Sequence, residues 1–326
     1  MDINRGEESN RTIMWIQGEY LGLQGTYKVP GYEFQLRNQT DKGQAGLQVL
    51  VASTQDTART KDEIDKCAEC VSDLISIAYG TFVSWSKIGT QRQRAIEWEC
   101  EREILRPASV HELIDFRNLQ QFFNETWSEL YAMSPEERRL WRKLNHSIAV
   151  GRSEPIYPVP FLLLQATIEE LTSSELILKW EKSYYIDNPS RRKTRPDLKD
   201  WLRRGIMTNT DESTWKQFES ELPNKVEALF LKSFRERARA LFDLYEVFID
   251  DGHLKDFTSK RNSTHKGYQY EQGDWKIWSR VASPLQYLLL KKLGYTGPYY
   301  DYSKAPRQLT TMKVSEGSCE FEEGEQ

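Results

Sequence analysis

Hydrophobic patterning divides the chain into an early part of short segments and a later part of long helical periods. Runs of β-branched and apolar residues bounded by glycine and polar turns are typical of strands. They predict strands at 12–16, 32–34, 46–51 and 81–85. Apolar residues at helical spacing predict one helix from about residue 57 to residue 79. We therefore interpret residues 1–105 as a small mixed α+β domain.

From residue 109 onward, apolar residues recur three and four positions apart, which is the repeat of an amphipathic helix. Ser109 with Glu112 forms a capping-box pattern, and Ser134 followed by Pro135 marks another helix start. Helices are expected, in chain order, at 109–130, 134–150, 158–180, 222–250 (one helix or two) and 275–293. The stretch 188–196, which combines prolines with basic residues, interrupts this pattern and is interpreted as a basic loop.

These patterns place the chain in the α+β class. A mixed α/β N-terminal domain at 1–105 is followed by an all-α helical bundle at 106–304. The last residues, 305–326, include an acidic stretch rich in small residues, which we expect to be a disordered tail.

The composition is typical of a globular protein with packed cores and without the overall positive charge that attracts nucleic acid. The chain has 326 residues, of which 38% are hydrophobic, and its 10 tryptophans and 16 tyrosines argue against disorder. The formal net charge is −4, so any contact with nucleic acid must be local, and no DNA partner is predicted. No signal-peptide pattern opens the chain, and no apolar run approaches the roughly 18 residues of a membrane span. The cysteine usage fits a reducing compartment, so we expect a cytoplasmic protein with no membrane partner.

Cys67 and Cys70 form a CxxC pair that has two interpretations. A structural zinc site needs further ligands, and no second cysteine pair completes one. The pair also shares the spacing of Ile64, Val71 and Leu74, which is the apolar stripe of a helix. We therefore expect both thiols to pack in a core, and no metal or cofactor is predicted.

The strongest candidate for chemistry is the segment 260–267, which holds an arginine, an amide and a histidine within five residues. If the segment is helical, Arg261 and His265 share one face because they are four positions apart. A guanidinium holds phosphate oxygens, and an imidazole moves protons near neutral pH. The pair suits work on a phosphodiester, although the same spacing also fits a solvated helix surface.

His146 offers a second arginine–histidine placement, with either Arg139 or Arg142 as its partner. This pair precedes residue 161, and it lacks both an asparagine directly after its arginine and the following glycine of the 260–267 segment. We interpret it as one face of a structural helix.

Three stretches of the helical part, in this order, resemble motifs of the HEPN superfamily, in particular its ApeA-like bacterial proteins. The first is FLLLQATIEEL at 161–171, which is similar to a conserved helix of that family. The second is RNSTHKG at 261–267, and the third is LLLKKLGYTGPY at 288–299. The resemblance spans about residues 135–300 and implies a HEPN-like helical bundle there.

This resemblance implies metal-independent cleavage of RNA by a homodimer that pairs two arginine–histidine motifs, often in phage defence or stress response. Carried onto this chain, His265 is the general acid or base and Arg261 holds the non-bridging phosphate oxygens. Asn262 orients the phosphate or His265, or else caps the helix. The products would be a 2′,3′-cyclic phosphate and a 5′-hydroxyl. Three residues separate Arg261 from His265, which is fewer than the family usually has.

Basic residues near these motifs are candidates for holding an RNA backbone through phosphate contacts. They are Lys260 and Lys266 beside the motif, and Arg191, Arg192, Lys193 and Arg195 in the basic stretch. The alternative for the basic stretch is a solvated loop balanced by Asp197 and Asp200.

Three interpretations of function stay open from the sequence. The first is a HEPN-type endoribonuclease. The second is a catalytically inactive HEPN module that dimerises or binds RNA, with an N-terminal domain that senses a ligand or partner. The third is a purely structural helical protein in which His265 caps a helix or packs.

Overall fold

The computed structural model of the chain describes residues 11–17, 24–41, 44–53, 61–81, 83, 85–92, 95–101, 112–153, 159–209, 211–219, 222–264, 273–302 and 308–311. The chain divides into two compact units. The sheet unit comprises 1–156 and 285–326, and the inserted unit comprises 157–284. This division does not follow the predicted domain boundaries after residues 105 and 304.

Six strands within the described residues form one antiparallel sheet, in the order β2-β3-β4-β1-β5-β6. Its strands are β1 (Arg11–Gln17), β2 (Gly25–Val29), β3 (Tyr32–Asp41), β4 (Gln44–Ser53), β5 (Trp85–Arg92) and β6 (Ala95–Glu101). Along β3, buried Tyr32, Phe34 and Leu36 alternate with half-buried Glu33 and Gln35, as expected of a strand with one covered face. The sheet, followed by helices, confirms the predicted α+β class.

The strands predicted at 12–16, 32–34 and 46–51 are confirmed, whereas the one predicted at 81–85 is misplaced. Thr81 and Val83 are not in a strand, which begins only at Trp85, and Phe82 and Ser84 lie outside the described residues. The Ser76 hydroxyl accepts from the amide of Val83 at 2.9 Å and donates to its carbonyl at 3.1 Å. The backbone of Val83 is therefore held against the end of a helix and does not extend the sheet.

Three helices complete the first part of the sheet unit: α1 (Lys61–Ala78), α2 (Leu119–Ala132) and α3 (Pro135–Ser153). Helix α2 packs on the sheet through aromatic pairs, with Phe123 against Tyr27 and Trp127 against Phe34, each with ring centroids 5.0 Å apart. Residues 116–118 form a short 3-10 turn, so α2 begins at Leu119, later than predicted, and Ser109 lies outside the described residues.

Ser134 caps α3 as predicted, because its hydroxyl accepts from the amide of Glu137 at 3.1 Å. Cys67 and Cys70 are buried on α1, which agrees with the core interpretation of the CxxC pair. Burial raises the pKa of the Cys70 thiol to about 11, so that thiol stays protonated and unreactive at neutral pH.

The sheet unit is completed by residues from the far end of the chain. Helix α11 (Asp274–Lys292) runs across residue 284, where the units divide, and a hairpin of β7 (Pro298–Asp301) and β8 (Gln308–Thr311) follows it. Leu288, Leu289, Leu293 and Tyr295 are at most 1% exposed. The ring of Tyr295 packs edge-on against Phe122 of α2, so these late residues belong to the same core as the early helices.

In its described residues the inserted unit consists of helices, the segments that connect them and one isolated β-bridge between Tyr184 and Leu231. Its elements before α11 are α4 (Val159–Ser173), α5 (Trp180–Ser183), α6 (Asn188–Met207), α7 (Glu212–Glu219), α8 (Leu222–Phe230), α9 (Phe234–Leu244) and α10 (Asp251–Thr264). Phe257 of α10 stacks on Phe161 of α4 and on Phe234 of α9, which forms one core. A second cluster joins Leu222, Val226 and Phe230 of α8 to Leu198, Leu202 and Ile206 of α6.

The basic loop predicted at 188–196 is wrong, because this stretch forms the first turns of α6. Asp187 caps the helix by accepting from the amide of Ser190 at 2.6 Å, and Pro189 stands in the first turn, where proline is tolerated. Pro196 lies inside the helix. The predicted helix at 158–180 is also shorter than expected, since α4 ends at Ser173.

Candidate functional site

The arginine–histidine motif lies at the C-terminal end of α10. Arg261 and Asn262 belong to its last turn, which ends at Thr264. His265 and Lys266 lie outside the described residues, as do the side chains of Arg261 and Asn262. Helical backbone up to Thr264 agrees with the expected helical setting of Arg261. The catalytic roles of the three residues stay a prediction.

An ion pair holds the last turn of α10 to the first turn of α11, within the inserted unit. The Lys260 ammonium lies 2.9 Å from a carboxylate oxygen of Asp274, whose side chain is 1% exposed. A buried carboxylate needs a partner of opposite charge, since desolvation makes an isolated charge costly. Lys260 thus forms an ion pair with Asp274, and its predicted contact with RNA stays a prediction.

The other predicted RNA-binding residues lie on α6, where Arg191 has a different setting from its neighbours. Its guanidinium lies over the ring of Trp180, with 3.9 Å from its carbon to the ring centroid, and donates to the side-chain carbonyl of Asn188 at 3.1 Å. Trp180 itself stacks on Tyr184. Arg191 therefore anchors the start of α6 to α5, and it is only partly exposed.

Arg192, Lys193 and Arg195 are exposed, as predicted for residues that contact solvent or RNA. They are part of a larger basic set, because α6 carries seven arginines and lysines against two aspartates. The full basic set is Arg191, Arg192, Lys193, Arg195, Lys199, Arg203 and Arg204. Trp201 stands among them with 65% of its surface exposed. The interpretation of 188–196 as a loop gives no reason to single out Trp201, which follows that stretch.

The rival pair of Arg142 and His146 lies on α3 in a polar cluster of the sheet unit. Arg142 donates to both carboxylate oxygens of Asp73, at 2.6 and 2.8 Å, and the Asp73 side chain is 7% exposed. Arg138, which is 3% exposed, donates to the sulfur of Cys70 at 3.1 Å and lies 3.5 Å from Glu69. These arginines are bound to α1 and are not directed at a ligand.

His146 is unsuited to proton transfer near neutral pH. Burial, with a contribution from the charge of Arg142, lowers the pKa of His146 to about 3. The imidazole is consequently neutral under physiological conditions. The adjoining cavity, lined by Asp73, Ser76, Arg138, Arg142 and Asn145 among others, has room for about one water molecule. The geometry agrees with the interpretation of this pair as a structural helix face.

A third arginine of α3 is half-buried and lies against an aromatic ring. The Arg152 guanidinium lies over the ring of Tyr302, 4.0 Å from the centroid, and donates to the side-chain carbonyl of Gln286 at 2.5 Å. Among the described residues, its other terminal nitrogen and the amide nitrogen of Gln286 have no hydrogen-bond partner. Burial lowers the pKa of Arg152 to about 10, which leaves it charged at neutral pH.

Comparison with protein-family models, with curated proteins and with solved structures finds no match in any of the three. Among the described residues, no group of histidine, cysteine, aspartate and glutamate side chains is arranged to hold a metal ion. Nor does any helix in that part of the chain combine the length and apolar character needed to cross a bilayer.

Proposed function

We propose that the chain is a HEPN-type endoribonuclease that cleaves RNA without a metal ion and acts as a homodimer. The supporting observation is the course of α10, which stays helical to Thr264 and so carries Arg261 and Asn262 on the turn directly before His265. The ion pair between Lys260 and Asp274 holds this turn against the start of α11. A fixed turn is a requirement for catalysis, since small misplacements of a catalytic group are costly in rate.

The proposed reaction uses the nucleophile that RNA itself carries. The 2′-oxygen loses its proton to His265 and attacks the adjacent phosphorus, and the bond from phosphorus to the 5′-oxygen breaks. Arg261 stabilises the negative charge that builds up on the non-bridging oxygens. A second proton must reach the departing 5′-oxygen, and the His265 of a second copy supplies it in a two-fold dimer. The products are a 2′,3′-cyclic phosphate and a 5′-hydroxyl.

The proposal is tested by incubating the purified chain with total RNA in excess EDTA. We expect cleavage that survives EDTA, ends in 2′,3′-cyclic phosphates and disappears in His265→Ala. His253→Ala is the matched control, because His253 stands in the first turn of the same helix. Indistinguishable RNA from wild type and His265→Ala would contradict the proposal, as would equal losses in the two variants.

A second candidate function is favoured by the exposed basic helix α6. In this alternative the chain is a HEPN module that binds RNA or dimerises without cleaving, and the N-terminal domain senses a ligand or partner. Binding of RNA with no cleavage by the wild type would select it. In either case we place the protein in the cytoplasm, in phage defence or a stress response.

A further inference from the structure

We propose that the exposed face of α6 binds single-stranded RNA, with Trp201 as a stacking platform for a base. The inference deepens the RNA-binding part of the proposed function and rests on it. It names the class of nucleic acid and a contact residue that the arginine–histidine motif does not include.

The packing of α6 determines which face is free. Leu198, Leu202 and Ile206, spaced four residues apart, pack against the α8 cluster of Leu222, Val226 and Phe230. Lys193, Trp201 and Arg204 fall on another face, because residues three, four and eight positions apart on a helix are neighbours in a row. All three of these side chains are exposed.

Trp201 is the most exposed large hydrophobic side chain among the described residues, at 65%. Single exposed apolar residues are common on proteins. Trp201 differs from such residues because its indole lies on a helix with a strong positive charge. An aromatic ring on a basic surface suits unpaired bases, because every base has a face that stacks and a phosphate beside it.

Part of the charge of α6 is available to a ligand. Its seven basic and two acidic residues leave a local charge of +5 in a chain whose net charge is −4. Lys193 makes no ion pair with any residue in the described part of the chain, and neither does Arg192 or Lys199. Asp197 lies on the Trp201 face as well, so the phosphate contacts fall to Lys193 and Arg204 at its two ends.

The helix is also held in place before any ligand binds. At its start, Arg191 is stacked on Trp180 and the Asp187 cap fixes the first turn. A platform that is already ordered loses less entropy on binding. Duplex RNA keeps its bases stacked inside the helix, so an indole platform favours single strands.

The test measures binding separately from cleavage by using 2′-O-methyl RNA, which lacks the attacking hydroxyl. Fluorescence anisotropy of the full chain would compare a labelled single strand, its duplex, and a single strand with abasic positions. We expect Trp201→Ala to weaken single-strand binding about tenfold and to leave binding of the abasic strand unchanged. The double variant Lys193→Ala/Arg204→Ala should lower the slope of log Kd against log salt by about 1.4, the loss of two phosphate contacts.

Phe248→Ala is the matched control, since Phe248 is 63% exposed in the same unit but outside α6. Equal losses in Trp201→Ala and Phe248→Ala would overturn the inference. So would the absence of any binding by the wild type, or a wild type that binds the abasic strand as tightly as the intact one. A change of oligomeric state in Trp201→Ala, seen by sedimentation without a change in RNA affinity, would instead identify a protein interface.

These results are distinguishable from failure of the proposed cleavage. A chain that binds 2′-O-methyl RNA through Trp201 but leaves natural RNA intact would refute the nuclease and keep the platform. A chain that cleaves RNA in EDTA but binds it independently of Trp201 would support the nuclease and refute the platform.

Discussion

Helices α3 and α6 both carry many arginines, and they use them in opposite ways. Arg138 and Arg142 of α3 are directed into the sheet unit, where Glu69 and Asp73 of α1 receive them. Most basic residues of α6 point to solvent, and its two aspartates cannot neutralise them. Counter-charges on a neighbouring element therefore decide whether an arginine is structural or available to a ligand.

The same comparison holds for the two arginine–histidine pairs. Arg142 and His146 have the same four-residue separation as Arg261 and His265. Burial keeps His146 neutral, so the helical spacing that makes both pairs look alike says nothing about their chemistry. The surroundings of such a pair, and not its spacing, determine whether it can take part in proton transfer.

The largest expected effect comes from removing a half-buried arginine of α3 that neutralises a buried carboxylate. Arg142→Ala should lower the free energy of unfolding by about 3–5 kcal/mol, because it leaves the buried Asp73 carboxylate without its partner. Urea denaturation measures this loss. Arg192→Ala on α6 is the matched control and should stay within about 0.5 kcal/mol of wild type. Similar losses in the two variants would break the comparison.

The next largest loss of stability is expected from neutralising Asp115, a buried carboxylate of the sheet unit. Asp115 accepts from Arg117 at 2.8 and 2.9 Å and from the Tyr300 hydroxyl at 3.0 Å. The Arg117 hydrogen bonds hold the pKa of Asp115 well below its usual range, so its stabilisation is present above the unfolded pKa and is lost in strong acid. Asp115→Asn should cost about 1–3 kcal/mol at pH 7 by urea denaturation, and exposed Asp243→Asn almost nothing.

A smaller effect is the pH dependence of the free energy of unfolding that comes from His146 of α3. The pKa of His146 falls from 6.5 to about 3 on folding, so below pH 6.5 the unfolded chain binds the extra proton. Stability should therefore decline as pH falls through this window, by at most about 1.4 kcal/mol per pH unit from this group. Denaturation of His146→Gln across the window should show a shallower decline. An unchanged pH profile would mean that His146 is accessible to protons in the native state.

The smallest effect is a gain of stability. Gln286→Glu places a carboxylate beside the half-buried Arg152, one guanidinium nitrogen of which has no hydrogen-bond partner among the described residues. We expect an increase of about 1 kcal/mol in the free energy of unfolding at pH 7, since a charged hydrogen bond replaces a neutral one. The same variant should lose that gain as the new carboxylate is protonated in acid. A destabilised Gln286→Glu would show that Arg152 already has sufficient solvation.

The sequence predicts best where local signals decide the structure. The α+β class, three strands and the start of α3 at Ser134 all rest on short-range spacing and capping chemistry. The interpretation of 188–196 as a basic loop is wrong because it rests on the prolines and charges and ignores two helix signals. Both of these signals are local as well. Those signals are the cap at Asp187 and the apolar repeat that begins at Leu198.

Features that depend on distant partners could not be predicted from the chain. Nothing near Arg142 indicates Asp73, which lies 69 residues earlier, and nothing near Trp201 indicates which face of α6 is covered. The division into units has the same origin, because the 285–326 segment joins residues far upstream. For the candidate site, the sequence predicts residue types and spacing, while the tertiary setting determines whether the charges are free.

The discontinuity of the sheet unit has a consequence for the order of events during synthesis. A ribosome delivers residues 1–156 first, but Leu288, Leu289 and Tyr295, which complete their core, emerge only after the inserted unit. The Arg152–Gln286 hydrogen bond marks where the chain leaves the sheet unit and where it returns. The core of the nascent sheet unit therefore stays incomplete until residues 157–284 have left the ribosomal exit tunnel. A stalled or truncated chain would expose apolar surface to chaperones and proteases.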